Sequence, residues 1–110
     1  MHEKLRGEIY QLHAEFCQAL SDPKRILILY ELGHGPSNVG DLAERLSLSQ
    51  PTVSRHLKVL RDRRMVQAAR DGTNVYYSIA DRRVLEALDL LRGVLTTSLR
   101  EDRALAGELA

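Results

Sequence analysis

Ser49, Gln50, Pro51, Thr52, Ser54, Arg55 and Lys58 are the residues of this chain whose types and spacing suit a recognition chemistry. At about 100° per residue on a helix, Pro51, Arg55 and Lys58 share one side, with Thr52 and Ser54 at its edges. That side offers hydroxyls and two cations, and no carboxylate before Asp62. Such groups hydrogen-bond to base edges and neutralise phosphates, so the expected partner is double-stranded DNA. On the opposite side Val53, Leu57 and Leu60 recur at i, i+4 and i+7, an apolar stripe that needs covering. Ser49 is placed to cap this helix, and Pro51 is tolerated in a first turn, where its missing N–H has no intrahelical partner.

The flanking residues supply what such a helix needs. Residues 41–46 form a short preceding helix with Leu42, Ala43 and Leu46 inside, and Asn38 is positioned as its N-cap. Ser47-Leu48-Ser49 has the length of a helix-turn-helix turn, with Leu48 expected beneath it. The helix-turn-helix therefore spans about 39–63. Residues 65–69 and 74–79 read as strands joined by Arg70-Asp71-Gly72-Thr73, where Asp-Gly is a strong hairpin signal. Val75, Tyr77 and Ile79 alternate with Tyr76 and Ser78, giving the hairpin one face for the core. The expected fold is mainly α with a β-hairpin wing at about 65–79: a winged helix-turn-helix of five helices in one domain, 1–110.

Two further amphipathic helices are expected, at about 2–20 and 81–103. The first carries Leu5, Ile9, Leu12, Phe16 and Leu20; the last carries Val84, Leu85, Leu88, Leu91, Leu95 and Leu99. Between them, residues 24–32 are apolar nearly all round and belong at the centre of the domain. The outer pair either wraps its own domain or meets a second copy in a two-fold homodimer, the more economical arrangement. A dimer sets two recognition helices about one DNA turn apart and favours an imperfect palindrome.

The net charge of +1 is small for a nucleic-acid binder, but it is segregated. Between residues 55 and 70 stand Arg55, Lys58, Arg61, Arg63, Arg64 and Arg70 against Asp62 alone, so the rest of the chain is net acidic. A content of 44% hydrophobic and 28% charged residues is ordinary for a globular protein. No apolar run reaches membrane-span length, and no signal peptide opens the chain. One cysteine, Cys17, cannot form an internal disulfide, which fits a reducing cytoplasm.

Together these motifs resemble the ArsR/SmtB family of repressors. Residues 16–25, Phe-Cys-Gln-Ala-Leu-Ser-Asp-Pro-Lys-Arg, are similar to that family's "ALSDPTRRxIL" opening. Asp41-Leu42-Ala43 and Ser49 through Leu60 resemble "DLA…LSQPTVSRHLxxL", and Arg70, Gly72, Tyr76 and Tyr77 resemble its wing. The resemblance spans about residues 12–100 and implies a homodimeric repressor released from its operator by an inducer. It also implies that Gln50, Pro51, Ser54 and Arg55 meet base edges. Lys58, Arg70, Thr73 and Asn74 would then position the duplex.

The inducer sites of that family are not reproduced. Where its cysteine site would lie, Asn38 and Gly40 stand, and neither is a good transition-metal ligand. Where its last-helix site would lie, Asp81 is followed by Arg83, with Val94 and Thr97 in place of the remaining ligands. No metal and no cofactor is therefore expected. Cys17 remains, four residues after His13, open to three roles: a small buried hydrophobe, a redox or persulfide sensor, or half a metal site with His13. His56, at the margin of the apolar stripe, is expected in a hydrogen-bonded structural role, and one of Tyr76 and Tyr77 in sheet packing. No nucleophile-elbow, phosphate-loop or HExxH pattern occurs, so an enzyme is not expected. The alternative is a winged helix used for protein contact without operator binding, against which the cations at 55 and 58 argue.

Overall fold

A computed structural model describes residues 1–109. Its elements are α1 (Glu3–Leu12), a wide π turn (His13–Cys17), a 3₁₀ turn (Ala19–Ser21), α2 (Pro23–Leu32), α3 (Val39–Leu46), α4 (Gln50–Asp62), β1 (Val66–Asp71), β2 (Asn74–Ile79) and α5 (Arg83–Leu109). The core joins Ile28, Leu29 and Leu32 of α2, Leu42 and Ala43 of α3, and Val53, Leu57 and Leu60 of α4. Met65, Val66, Leu85 and Leu88 close it. Helix α2 is central, but only on one side: Leu27, expected inside, is half exposed.

Side-chain caps start the helices of this core. Asp22 accepts the Lys24 N–H at 2.9 Å, Asn38 accepts the Asp41 N–H at 2.8 Å, and Ser49 accepts the Thr52 N–H at 3.3 Å. Each satisfies one amide that the first turn leaves without a partner. Ser47 ends α3 in the left-handed region, φ 55°, and turns the chain towards α4, with Leu48 half-buried beneath. At the other end of α4, Arg64 adopts φ 61°, and the Met65 N–H closes on the Leu60 carbonyl at 2.9 Å. That turn sends the chain directly from α4 into the wing.

Three expectations are corrected. The first helix is not continuous over 2–20: the Gln18 N–H reaches five residues back to the His13 carbonyl at 3.2 Å, and a 3₁₀ turn follows. The last helix begins at Arg83 and runs beyond 103, to Leu109. The first wing strand runs on to Asp71, which pairs with Asn74, so the loop is only Gly72-Thr73, while the second strand keeps its expected bounds. Gly72 takes φ 64° at the first loop position, a left-handed conformation that glycine adopts without a Cβ penalty.

The hairpin is tied to the helices by a contact the sequence does not announce. Ser37 exchanges two backbone hydrogen bonds with Tyr77, at 3.0 and 2.8 Å, adding a one-residue bridge to the wing sheet. Helix α5 is rooted on α2 by buried Leu85 and Leu88 and by the Tyr30 hydroxyl, which donates to Asp89 at 2.7 Å. Where α5 passes the end of α2, a Cβ on Gly33 would lie 2.9 Å from Leu85 Cδ1, and 3.0 Å from the Tyr30 carbonyl oxygen of its own helix. Beyond its root α5 is bare, with Leu91, Val94, Leu95 and Leu99 exposed. Helix α1 buries no residue at all.

Candidate nucleic-acid interface

Helix α4 divides sharply into two sides. Val53, Leu57 and Leu60 are each 0% exposed, whereas Gln50, Pro51, Ser54, Arg55 and Lys58 face solvent. Thr52 is half-buried: its hydroxyl accepts from the Ser49 hydroxyl at 2.7 Å, which fixes both side chains at the mouth of the helix. The folding stripe and the recognition side thus share no side chain, so the outer side is free to carry any chemistry.

The outer cations are little committed. Lys58 pairs with Asp62 at 3.2 Å, one turn on, but both side chains are largely exposed and the pair is easily exchanged for a phosphate. Among the described residues, no ion pair engages Arg55, Arg61, Arg63, Arg64 or Arg70. At the wing, Arg70, Thr73 and Asn74 are all exposed. Thr73 and Asn74 line one shallow depression of about 380 Å³ with Asn38, Val39 and Gly40, so the wing tip lies beside the start of α3. Gly40 in turn approaches the Gln50 amide, its Cβ position lying 3.8 Å from Nε2. The start of α3 therefore links the wing tip to the first residue of α4.

His56 is the one polar residue of α4 drawn inward, 4% exposed. Its Nδ1 lies 3.3 Å from the Arg25 guanidinium, and its Nε2 lies 3.8 Å from the Asp22 carboxylate. Burial pushes the imidazole below its ordinary value; Asp22 opposes this, and Arg25, Arg55 and Lys24 reinforce it. Asp22 is held below the usual carboxylate range, first by the Lys24 backbone N–H that it caps. The structural role expected of His56 is the one found, but its partners, 31 and 34 residues earlier, are not legible from local spacing.

The other singled-out residues stand apart from this face. Asp81 is gripped by Arg83, whose guanidinium donates at 2.7 to 3.2 Å, and the carboxyl is held at about 2, chiefly by that contact. Asn38 spends its carbonyl oxygen on the α3 cap. Cys17 is exposed rather than buried, which corrects the reading of it as a core hydrophobe. It lines an apolar groove of about 520 Å³ with Phe16, Leu20, Leu88 and Leu91. His13 is also exposed, and the π turn places the pair on a wider spiral than the four-residue spacing of an α-helix assumes. Among the described residues, no cluster of three metal-binding side chains forms. No helix among them is long and apolar enough to cross a membrane.

This arrangement of three core helices, the last two forming a helix-turn-helix, followed by a hairpin defines a winged helix-turn-helix protein. Residues 22–68 match the family model described as bacterial regulatory protein, arsR family. The chain is 38% identical over 89 residues to the nodulation protein NolR of Rhizobium meliloti, covering 81% of this chain and 73% of NolR. It is 43% identical over 75 residues to a transcriptional repressor SmtB homologue of Synechocystis, covering 68% of this chain and 57% of that protein. A solution structure of the homodimeric winged helix-turn-helix DNA-binding domain Mb0332 from Mycobacterium bovis superposes with a TM-score of 0.77 at 28% identity, covering 92% of this chain and 93% of that one. The chain belongs to the arsR family of bacterial regulatory proteins, a family of regulators rather than enzymes. It spans 57% of the length of the SmtB homologue and 63% of that of NmtR, a transcriptional regulator of Mycobacterium tuberculosis.

Proposed function

We propose that this protein is a transcriptional repressor that binds an imperfect palindromic operator as a homodimer. The observation that carries the reading is the division of α4: an inner stripe that is 0% exposed and an outer side of hydroxyl, amide and cationic groups left bare. In this reading Gln50, Pro51, Ser54 and Arg55 meet base edges in the major groove. Ser49, Thr52 and Lys58 hold the phosphate backbone, and Arg70, Thr73 and Asn74 of the wing reach the flanking duplex. The name of the SmtB homologue, a transcriptional repressor, supports repression as the outcome.

The homodimer is supported by two bare stripes and one comparison. Leu5, Ile9 and Leu12 of α1 and Leu91, Leu95 and Leu99 of α5 are between 43% and 65% exposed in a single chain. Such a stripe on each of two neighbouring helices matches the surface that two-fold association covers. The Mycobacterium bovis domain with this fold is itself homodimeric. The reading places the protein in the cytoplasm, where its DNA lies. Release by an inducer remains part of the reading, with Cys17 and the groove it lines as the place to look.

Fluorescence anisotropy on the duplex upstream of its own gene and on a scrambled duplex, over a series of salt concentrations, tests the proposal. The expected result is sequence-preferring, steeply salt-dependent binding of two chains per site. Equal, weak binding to both, with no preferred site in a genomic selection, would overturn it. A winged helix serving protein contact would then be the better reading.

A further inference from the structure

His56 stands where the recognition helix meets the segment leading in from α1, and none of the contacts proposed with DNA uses it. A guanidinium can only donate hydrogen bonds, so the 3.3 Å contact from Arg25 makes Nδ1 of His56 the acceptor. The ring proton therefore sits on Nε2, facing Asp22 at a distance that is electrostatic rather than a hydrogen bond. The same Arg25 donates from Nε to the Ala19 carbonyl at 2.6 Å and from Nη2 to the Gln18 carbonyl at 3.3 Å. One side chain thus clasps the end of the N-terminal segment and the buried side of α4 together. Arg55, the foremost candidate for reading a base, is the residue next to His56.

We infer that His56 is a positioning residue for the recognition helix: as a neutral acceptor it locks α4 to the N-terminal segment through Arg25, and its protonation opens that clasp and weakens operator binding. The inference rests on the operator-binding reading above. A proton on Nδ1 removes the acceptor and sets a cation against a guanidinium. The charged groups acting on the ring are Asp22, Arg25 and Lys24 at the start of α2 and Arg55 beside it on α4: Asp22 favours a proton on the ring, and burial first, then the three cations, disfavour it. Because the folded ring binds a proton less readily than a free histidine, the stability it contributes is present above about pH 6.5 and declines as pH falls from there.

Operator affinity of the wild-type protein and of His56→Asn, measured from about pH 7.5 downwards until the ring is protonated, tests this. Asn offers a carbonyl oxygen near the position of Nδ1 and does not titrate, and the other histidines act equally in both proteins. Once the ring has taken up its proton, followed by NMR in the same pH series, the wild type should have lost roughly threefold or more in affinity relative to the variant, with near-equal binding at the upper end. Superimposable profiles through the protonation of the ring, with sequence-preferring binding intact, would overturn the clasp and leave the regulator standing. Absence of operator binding by the wild type even at neutral pH would remove both readings together. Imidazole nitrogen NMR of the free wild-type protein keeps the question decidable if the variant does not fold. A neutral ring protonated on Nε2 is expected, and a Nδ1–H ring or a cationic ring at neutral pH would overturn the clasp.

Discussion

Tyr30 of α2 and Asp89 of α5, 59 residues apart, meet through a hydroxyl-to-carboxylate hydrogen bond of 2.7 Å. Arg92 completes the cluster, pairing with Asp89 at 3.3 Å and lying 5.2 Å above the Tyr30 ring. Desolvation first, and then the bond to Asp89, raise the tyrosine above its ordinary value, so it stays a donor throughout the neutral range. This polar joint continues the apolar root made by Leu85 and Leu88, and beyond it α5 projects with its leucines bare. The joint therefore sets the direction in which the proposed dimer helix leaves the domain.

Removing the hydroxyl tests that role. Tyr30→Phe should cost about 0.5–1 kcal/mol in urea unfolding, the lower part of the range for a hydrogen bond because Asp89 is largely solvated. Hydrogen exchange should quicken at the start of α5 and leave α4 unaffected. Unchanged exchange in α5 would show that Leu85 and Leu88 suffice to hold it.

Leu57 is buried and Ser54 exposed on the same helix, so the two should respond differently to alanine. Leu57→Ala removes a side chain that is 0% exposed and should cost about 2–5 kcal/mol, visible as a large fall in the denaturation midpoint. Ser54→Ala, on the exposed side, should leave the midpoint within about 0.5 kcal/mol. Its effect, if the proposed interface is right, lies in operator affinity alone.

The two-residue wing loop makes a sharp demand on its first position. A Cβ at Gly72 would touch nothing within 4 Å, so Gly72→Ala meets only the backbone cost of φ 64°. That cost is about 1 kcal/mol. A loss of that size in urea unfolding is expected; no loss at all would contradict the loop conformation.

Acid should loosen the start of α5 separately. The Asp81 carboxyl is held at about 2, below its usual 3.8, by Arg83, so the stability it adds is present above about pH 4 and disappears as pH falls towards 2. Asp81→Asn should therefore differ from the wild type in hydrogen exchange of the first turn of α5 at pH 5 or so, and converge with it near pH 2. A difference that persists at the acid end would assign the effect to the backbone cap rather than to charge.

The parts of this fold that were legible in the sequence are those governed by local rules. Val53, Leu57 and Leu60 announce the buried stripe of α4, and Asn38, Ser49 and Pro51 announce helix starts, because caps and periodicity act over three or four residues. The π turn at His13–Cys17 escaped because its apolar spacing, from Leu12 through Phe16 to Leu20, is that of an unbroken helix. The Ser37 bridge to Tyr77 involves one residue and no alternation, so no period reveals it. Asp-Gly located the wing turn but not its register: the glycine occupies the first loop position, and Asp71 stays in the strand. The exposure of Cys17 also escaped, since its neighbour Phe16 packs on the core while the thiol turns to a groove. The exposure of Gln50, Pro51, Ser54, Arg55 and Lys58 follows from the helical period, and the structure adds that Thr52 is half-buried and that His56 turns inward to Arg25.

Whether the outer side of α4 reads DNA sequence is decided by the affinity of wild type and Arg55→Ala for the operator and for a scrambled duplex at one salt concentration. Arg55 is exposed and outside every ion pair among the described residues, so its removal should leave folding intact. The expected loss is about 1–3 kcal/mol on the operator and much smaller on the scrambled duplex. An equal loss on both would contradict it, reducing Arg55 to one more phosphate contact.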